Sequence, residues 1–166
     1  MPPPALGREL ACAIFQNIGA TIDPQPRDHD ADIIPAIPVF GIGEEVFHEA
    51  ARDGRPFGIV TVTPDEELTE SFRQKAVALG YEAQYRGVRV TPGDPTELVQ
   101  DPDRLDAALT DAVRQSVTED GAEAVIMGGG PLSASAIRLQ PQFEQPLVIA
   151  VTAAARAVVK QIADPD

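Results

Sequence analysis

The chain has no tryptophan, only two histidines and a single cysteine among its 166 residues. One cysteine excludes an intramolecular disulfide framework and any multi-cysteine zinc site. His29 lies in a polar stretch and His48 in a helical one, and two isolated histidines do not make a metal centre. No apolar run approaches the ~18–20 residues needed to cross a bilayer. The start, Met1-Pro2-Pro3-Pro4, has neither basic residues nor an apolar stretch, so no secretory signal is visible. Basic residues are scarce as well: 13 Lys and Arg stand against 26 Asp and Glu, for a net charge of −13. Such a chain is repelled by phosphate backbones and anionic lipid, so neither nucleic acid nor a membrane is an expected partner. A cytoplasmic protein is expected.

What is present is alternation. Phe57 to Thr63 is a β-branched apolar run of strand length. Thr63 as cap, Pro64 at the first position and Asp65, Glu66 and Glu67 in the first turn predict a helix to about Leu79, with Leu68, Phe72, Ala76 and Leu79 on its apolar face. Ala83 to Val90 predicts a second strand, closed by the turn Pro92-Gly93-Asp94-Pro95. Pro102 to Glu119 carries Leu105, Leu109, Val113 and Val117 at helical spacing. Ala124 to Met127 is a continuous apolar strand of the kind buried on both faces of a parallel sheet. It runs into Gly128-Gly129-Gly130-Pro131, with a modest helix over Leu132–Leu139, a strand over Pro146–Ala150, and a last helix capped by Thr152. Helices between strands predict a Rossmann-like α/β fold, a parallel sheet with helices on both faces. Residues 1–36 differ: they are proline-rich and polar, with one short helix expected over Arg8–Ile18, so the α/β domain is expected to occupy 37–166.

In a parallel sheet, ligands collect at the carboxyl ends of the strands, where glycines admit a ligand to the backbone and hydroxyls donate. That reasoning selects Thr61, Val62 and Thr63 after one strand, and Gly128, Gly129, Gly130, Pro131, Leu132 and Ser133 after another, as a pocket for a small carboxylate. The glycines equally suit a tight strand-to-helix turn. The run is neither a dinucleotide fingerprint nor a phosphate loop, because Pro131 and Leu132 follow it and no Lys-Ser or Lys-Thr does. Cys12 is the one thiol available for nucleophilic or acid–base work, but its neighbours Leu10, Ala11, Ala13 and Ile14 favour a buried, protonated thiol.

Four segments, in matching order, carry a family resemblance: Ile37 to Glu44 (IPVFGIGE), Phe57 to Pro64 (FGIVTVTP), Gly87 to Pro95 (GVRVTPGDP) and Asp120 to Leu132 (DGAEAVIMGGGPL). Together they resemble the Asp/Glu/hydantoin racemase superfamily. The resemblance implies one lobe of a two-lobed, pseudo-symmetric isomerase that works without a cofactor. It also implies a small carboxylate or hydantoin-like ligand, inverted at the carbon alpha to a carboxyl or carbonyl group by two cysteines on opposite sides. One thiolate removes the α-proton and the other thiol returns a proton to the opposite face. In this sequence Gly128-Gly129-Gly130 stands where the family's second cysteine falls, and Cys12 fits the first one poorly in flanks and spacing. The cysteine pair is therefore missing, which argues against turnover by these residues and leaves a non-catalytic, carboxylate-binding or degenerate racemase-like protein as the alternative. Apolar surface left by a shortened second lobe points to a homo-oligomer.

Overall fold

The computed structural model describes residues 40–163. The predicted irregular segment, its short helix and Cys12 lie outside these residues.

Among the described residues four strands form one sheet: β1 (Phe57–Thr61), β2 (Tyr85–Val90), β3 (Ala124–Met127) and β4 (Leu147–Val148), in the order β2-β1-β3-β4. Every pairing is parallel. The helices are α1 (Ile42–Ala50), α2 (Glu66–Ala78), α3 (Pro95–Gln100), α4 (Pro102–Thr118), α5 (Ser133–Leu139) and α6 (Ala150–Ala163). All residues of β1 and β3 are buried, as their unbroken apolar sequences require of central strands. β2, on one edge, is half-exposed. It holds one extra residue opposite β1, and Gly87, at φ 100°, takes the backbone conformation that this insertion needs.

Alternate residues of the central strands point to opposite faces. Phe57, Ile59, Ala124 and Ile126 meet Phe47 of α1, Ala76 of α2 and Ala153 of α6. Val60, Val125 and Met127 meet Leu98 of α3, Leu105, Leu109 and Val113 of α4, and Leu132 and Ala136. Phe47 sits edge-on to Phe57 with ring centroids 5.6 Å apart, a geometry worth about 0.5–1.5 kcal/mol beyond its buried area. Of the expected apolar faces of α2 and α4, Ala76, Leu105, Leu109 and Val113 are buried, Phe72, Leu79 and Val117 pack half-buried against the core, and Leu68 is half-buried.

Several boundaries differ from expectation. Asp65, not Thr63, caps α2, its carboxylate accepting from the amides of Glu67 at 2.8 Å and Leu68 at 3.2 Å. A carboxylate two residues later outcompetes a threonine hydroxyl here because it meets two free amides and the positive end of the helix. The helix closes at Gly80, φ 80°, where Tyr81 N–H donates to Ala76 O and Gly80 N–H to Val77 O, satisfying two terminal carbonyls. The turn expected around Asp94-Pro95 is instead the start of α3, capped by Asp94 with Pro95 in its first turn. The second strand starts at Tyr85 instead of Ala83, since residues 82–84 form a turn. β4 is two residues long because α6 already begins at Ala150, which puts Thr152 inside the first turn and not at the cap. Beside β4, the side chain of Gln140 accepts from Leu147 N–H at 2.8 Å and donates to Phe143 O and Gln145 O.

Candidate functional site

Strand order fixes where the two predicted segments lie. The chain goes from β1 outward to β2, then crosses back to β3 on the other side of β1. The connection after β1 leads to α2 on one face, and that after β3 leads to α5 on the other. The two connections therefore part over the strand ends, and a crevice at such a switch point is the usual ligand position in open α/β sheets. The segments Thr61–Thr63 and Gly128–Ser133 are the two sides of that switch point, since β1 and β3 are neighbours with Val60 opposite Met127.

The individual residues divide by exposure. Thr63, Gly129, Gly130 and Pro131 are exposed and Ser133 is half-buried, so these can be reached from solvent. Val62 and Leu132 are buried in the core beneath. Thr61 is 1% exposed. Its hydroxyl donates to Gly128 O at 3.0 Å and accepts from Thr63 N–H at 3.3 Å. Several amides of the two segments are engaged internally as well: Gly128 N–H donates to Val60 O at 2.8 Å, Gly129 N–H to Met127 O at 3.0 Å, and Leu132 N–H to Gly129 O at 3.1 Å. Ser133 N–H donates to Gly130 O. The accessible chemistry of these two segments is consequently hydroxyl and glycine backbone, with no ionisable side chain in either.

The three glycines are not equivalent. A Cβ on Gly128 would stand 3.1 Å from Ile59 Cγ2 and 3.2 Å from Val60 O, so close strand approach accounts for this one. A Cβ on Gly129 would meet only Leu132 and Pro131 at 3.7 Å or more, and one on Gly130 would meet nothing within 4 Å. Packing leaves room for side chains at the latter two.

Residue 29–158 matches the family model described as Asp/Glu/Hydantoin racemase. The chain belongs to the Asp/Glu/Hydantoin racemase family. A hydantoin racemase of Rhizobium meliloti is 29% identical over 136 residues, 79% of this chain and 54% of that one. A hydantoin racemase of Pseudomonas sp. (strain NS671) is 27% identical over 133 residues, 77% of this chain and 51% of its own. The fold is shared with the crystal structure of an allantoin racemase from Pseudomonas fluorescens, TM-score 0.66 at 22% identity, covering 76% of this chain and 53% of that one. The allantoin racemase from Klebsiella pneumoniae gives TM-score 0.66 at 23% identity, covering 76% and 51%. The chain thus spans about half the length of the racemases it matches. The resemblance read from the four segments and the expected α/β fold are both borne out.

Elsewhere, charged pairs serve the scaffold. Arg89 on β2 makes paired contacts of 2.6 and 2.7 Å to Asp120, and these hold the Asp120 carboxyl below its usual range. Arg138 does the same for Asp106, joining α5 to α4. Among the described residues no cluster of His, Cys, Asp or Glu suits a metal ion, and no helix is long and apolar enough to cross a membrane. Thr91, which sequence alone does not single out as a site residue, follows the last residue of β2. Its N–H donates to Thr61 O at 2.9 Å, and its buried hydroxyl meets no hydrogen-bond partner among the described residues. A threonine directly before Pro92-Gly93 carries no sequence signal beyond a turn.

Proposed function

We propose that this racemase-family chain binds a small carboxylate or hydantoin-like molecule, without a cofactor, over the carboxyl ends of β1 and β3. The observation that carries this reading is the placement of Thr63, Gly129, Gly130 and Ser133 on the two sides of the switch point. Inversion beside a carboxyl or carbonyl group is the chemistry of the family. It needs two groups on opposite faces of the reacting carbon, each contributing typically about 10²–10⁴-fold. The exposed hydroxyls of Thr63 and Ser133 suit a carboxylate or a developing enolate oxygen, but glycine transfers no proton. Cys12 remains the candidate acid–base group, and weak turnover by these residues follows. We place the protein in the cytoplasm as a homo-oligomer, with its racemase-like domain over 37–166 and a separate segment over 1–36.

A second reading, a non-catalytic carboxylate-binding member, is favoured by Gly129, where the backbone leaves space for a side chain and none is present. Titration of labelled protein with aspartate, glutamate and 5-substituted hydantoins tests the site. Resonance shifts should concentrate at Thr63 and Gly129–Ser133, and shifts elsewhere would refute the placement. Polarimetry on single enantiomers, with Cys12→Ala as control, separates the two readings. Rapid racemisation abolished by Cys12→Ala would refute the expectation of weak turnover and make Cys12 catalytic.

A further inference from the structure

We propose that Thr61 is a positioning residue of this site and not one of its ligand contacts: its hydroxyl bolts the segments after β1 and β3 to each other. The inference rests on the ligand position proposed above. A hydroxyl has one proton to donate and two lone pairs. The Thr61 proton goes to Gly128 O at 3.0 Å, across to the glycine segment after β3. One lone pair takes Thr63 N–H at 3.3 Å, on the segment after β1. At 1% exposure the side chain has no access to a ligand. The same residue holds the third strand end, because Thr61 O accepts from Thr91 N–H at 2.9 Å. Three strand ends therefore take their relative position from one residue. The close approach at Gly128 is part of the same joint, since a Cβ there would lie 3.5 Å from Thr61 Cβ.

Loops that must present amides and hydroxyls to one ligand lose affinity when their mutual position loosens, because the ligand then has to order them itself. Thr61→Val keeps the β-branched shape and removes the bolt, whereas Thr61→Ser keeps the hydroxyl. In the free full-length protein, amide exchange of Thr63 should speed up by about tenfold in Thr61→Val, the scale of one lost hydrogen bond. Amides of Leu109 and Val125 should keep their protection, and Thr61→Ser should stay close to wild type. In the ligand arm, L-aspartate and 5-methylhydantoin should bind Thr61→Val about tenfold more weakly, with Thr61→Ser again rescuing. The proposal is overturned if Thr63 exchange is unchanged in Thr61→Val, if protection falls uniformly across the sheet, or if Thr61→Ser behaves like Thr61→Val. It is also overturned if exchange rises while affinity stays put, since the hydroxyl would then be structural alone. Absence of binding by wild type would instead remove the ligand reading, and the exchange arm would still decide whether the bolt exists.

Discussion

Gly58 sits on β1 facing α4, and an added Cβ would lie 2.1 Å from Ser116 Oγ. That is more than 1 Å inside van der Waals contact, and Ser116 is itself only 1% exposed, so its hydroxyl has little room to swing away. Gly58→Ala should therefore cost about 1–3 kcal/mol through overpacking. The other near atoms, Ser116 Cβ and Ala122 Cβ, stand at 3.5 Å, ordinary contact distance. The whole penalty is thus assigned to one oxygen. Ser116→Ala in the same chain should recover it, leaving the gain of about 0.4–1 kcal/mol that a Gly-to-Ala change brings by restricting the unfolded chain. Urea denaturation of wild type, both single variants and the double variant closes the cycle. With a slope of about 1–3 kcal/mol/M, the Gly58→Ala midpoint should fall by roughly 1 M. A coupling of at least about 1 kcal/mol, favouring the double variant, is expected for groups in direct contact. Strictly additive effects, or a Gly58→Ala protein as stable as wild type, would refute the assignment of close helix–strand packing to this glycine.

The glycine triplet should respond unequally to a new thiol in a Cys12→Ala background. Gly129→Cys should keep wild-type stability and react quickly with a thiol reagent, while Gly128→Cys should lose about 1–3 kcal/mol to overpacking against Ile59 and Val60; equal midpoints would count against the difference. Asp65→Ala should cost about 1 kcal/mol by leaving the α2 amides uncapped, with Asp65→Asn close to wild type in the same denaturation assay. The Arg138 guanidinium lowers the Asp106 carboxyl in the folded state, so their contact stabilises the fold above the unfolded carboxylate pKa of about 3.9 and is lost as pH falls through the lower folded value. Melting temperature followed from neutral pH into acid should consequently drop less steeply in Arg138→Met than in wild type, and parallel acid limbs would show that the pair contributes nothing.

Alternation was the legible part. Continuous apolar runs at Phe57–Thr61 and Ala124–Met127, separated by helices with apolar residues three and four apart, allow little besides a parallel sheet. Ambiguity entered where one signal serves two structures. Asp94-Pro95 opens either a turn or a helix, since aspartate followed by proline suits both, and the contact of Leu98 with the core decides for α3. Thr63-Pro64-Asp65 offers two caps in three residues, and the better acceptor prevails. The site residues could be picked out because glycines and hydroxyls at strand ends are conspicuous. Their division into reachable and buried could not. The bond from Thr61 to Gly128 joins positions 67 apart in sequence, and only strand pairing brings them together.

Gln140 has a consequence for how this sheet can meet another body. Its amide occupies the outward-facing N–H of Leu147 while tying down the carbonyls of Phe143 and Gln145, in the place a neighbouring backbone would take. A strand arriving at β4 would have to evict that side chain and forfeit all three bonds before gaining any of its own, so growth of the sheet by edge-to-edge annealing is blocked at this side. Among the described residues, α5 and α6 expose the apolar side chains Ile137, Val151, Val159 and Ile162, which need no such exchange of bonds to make contact.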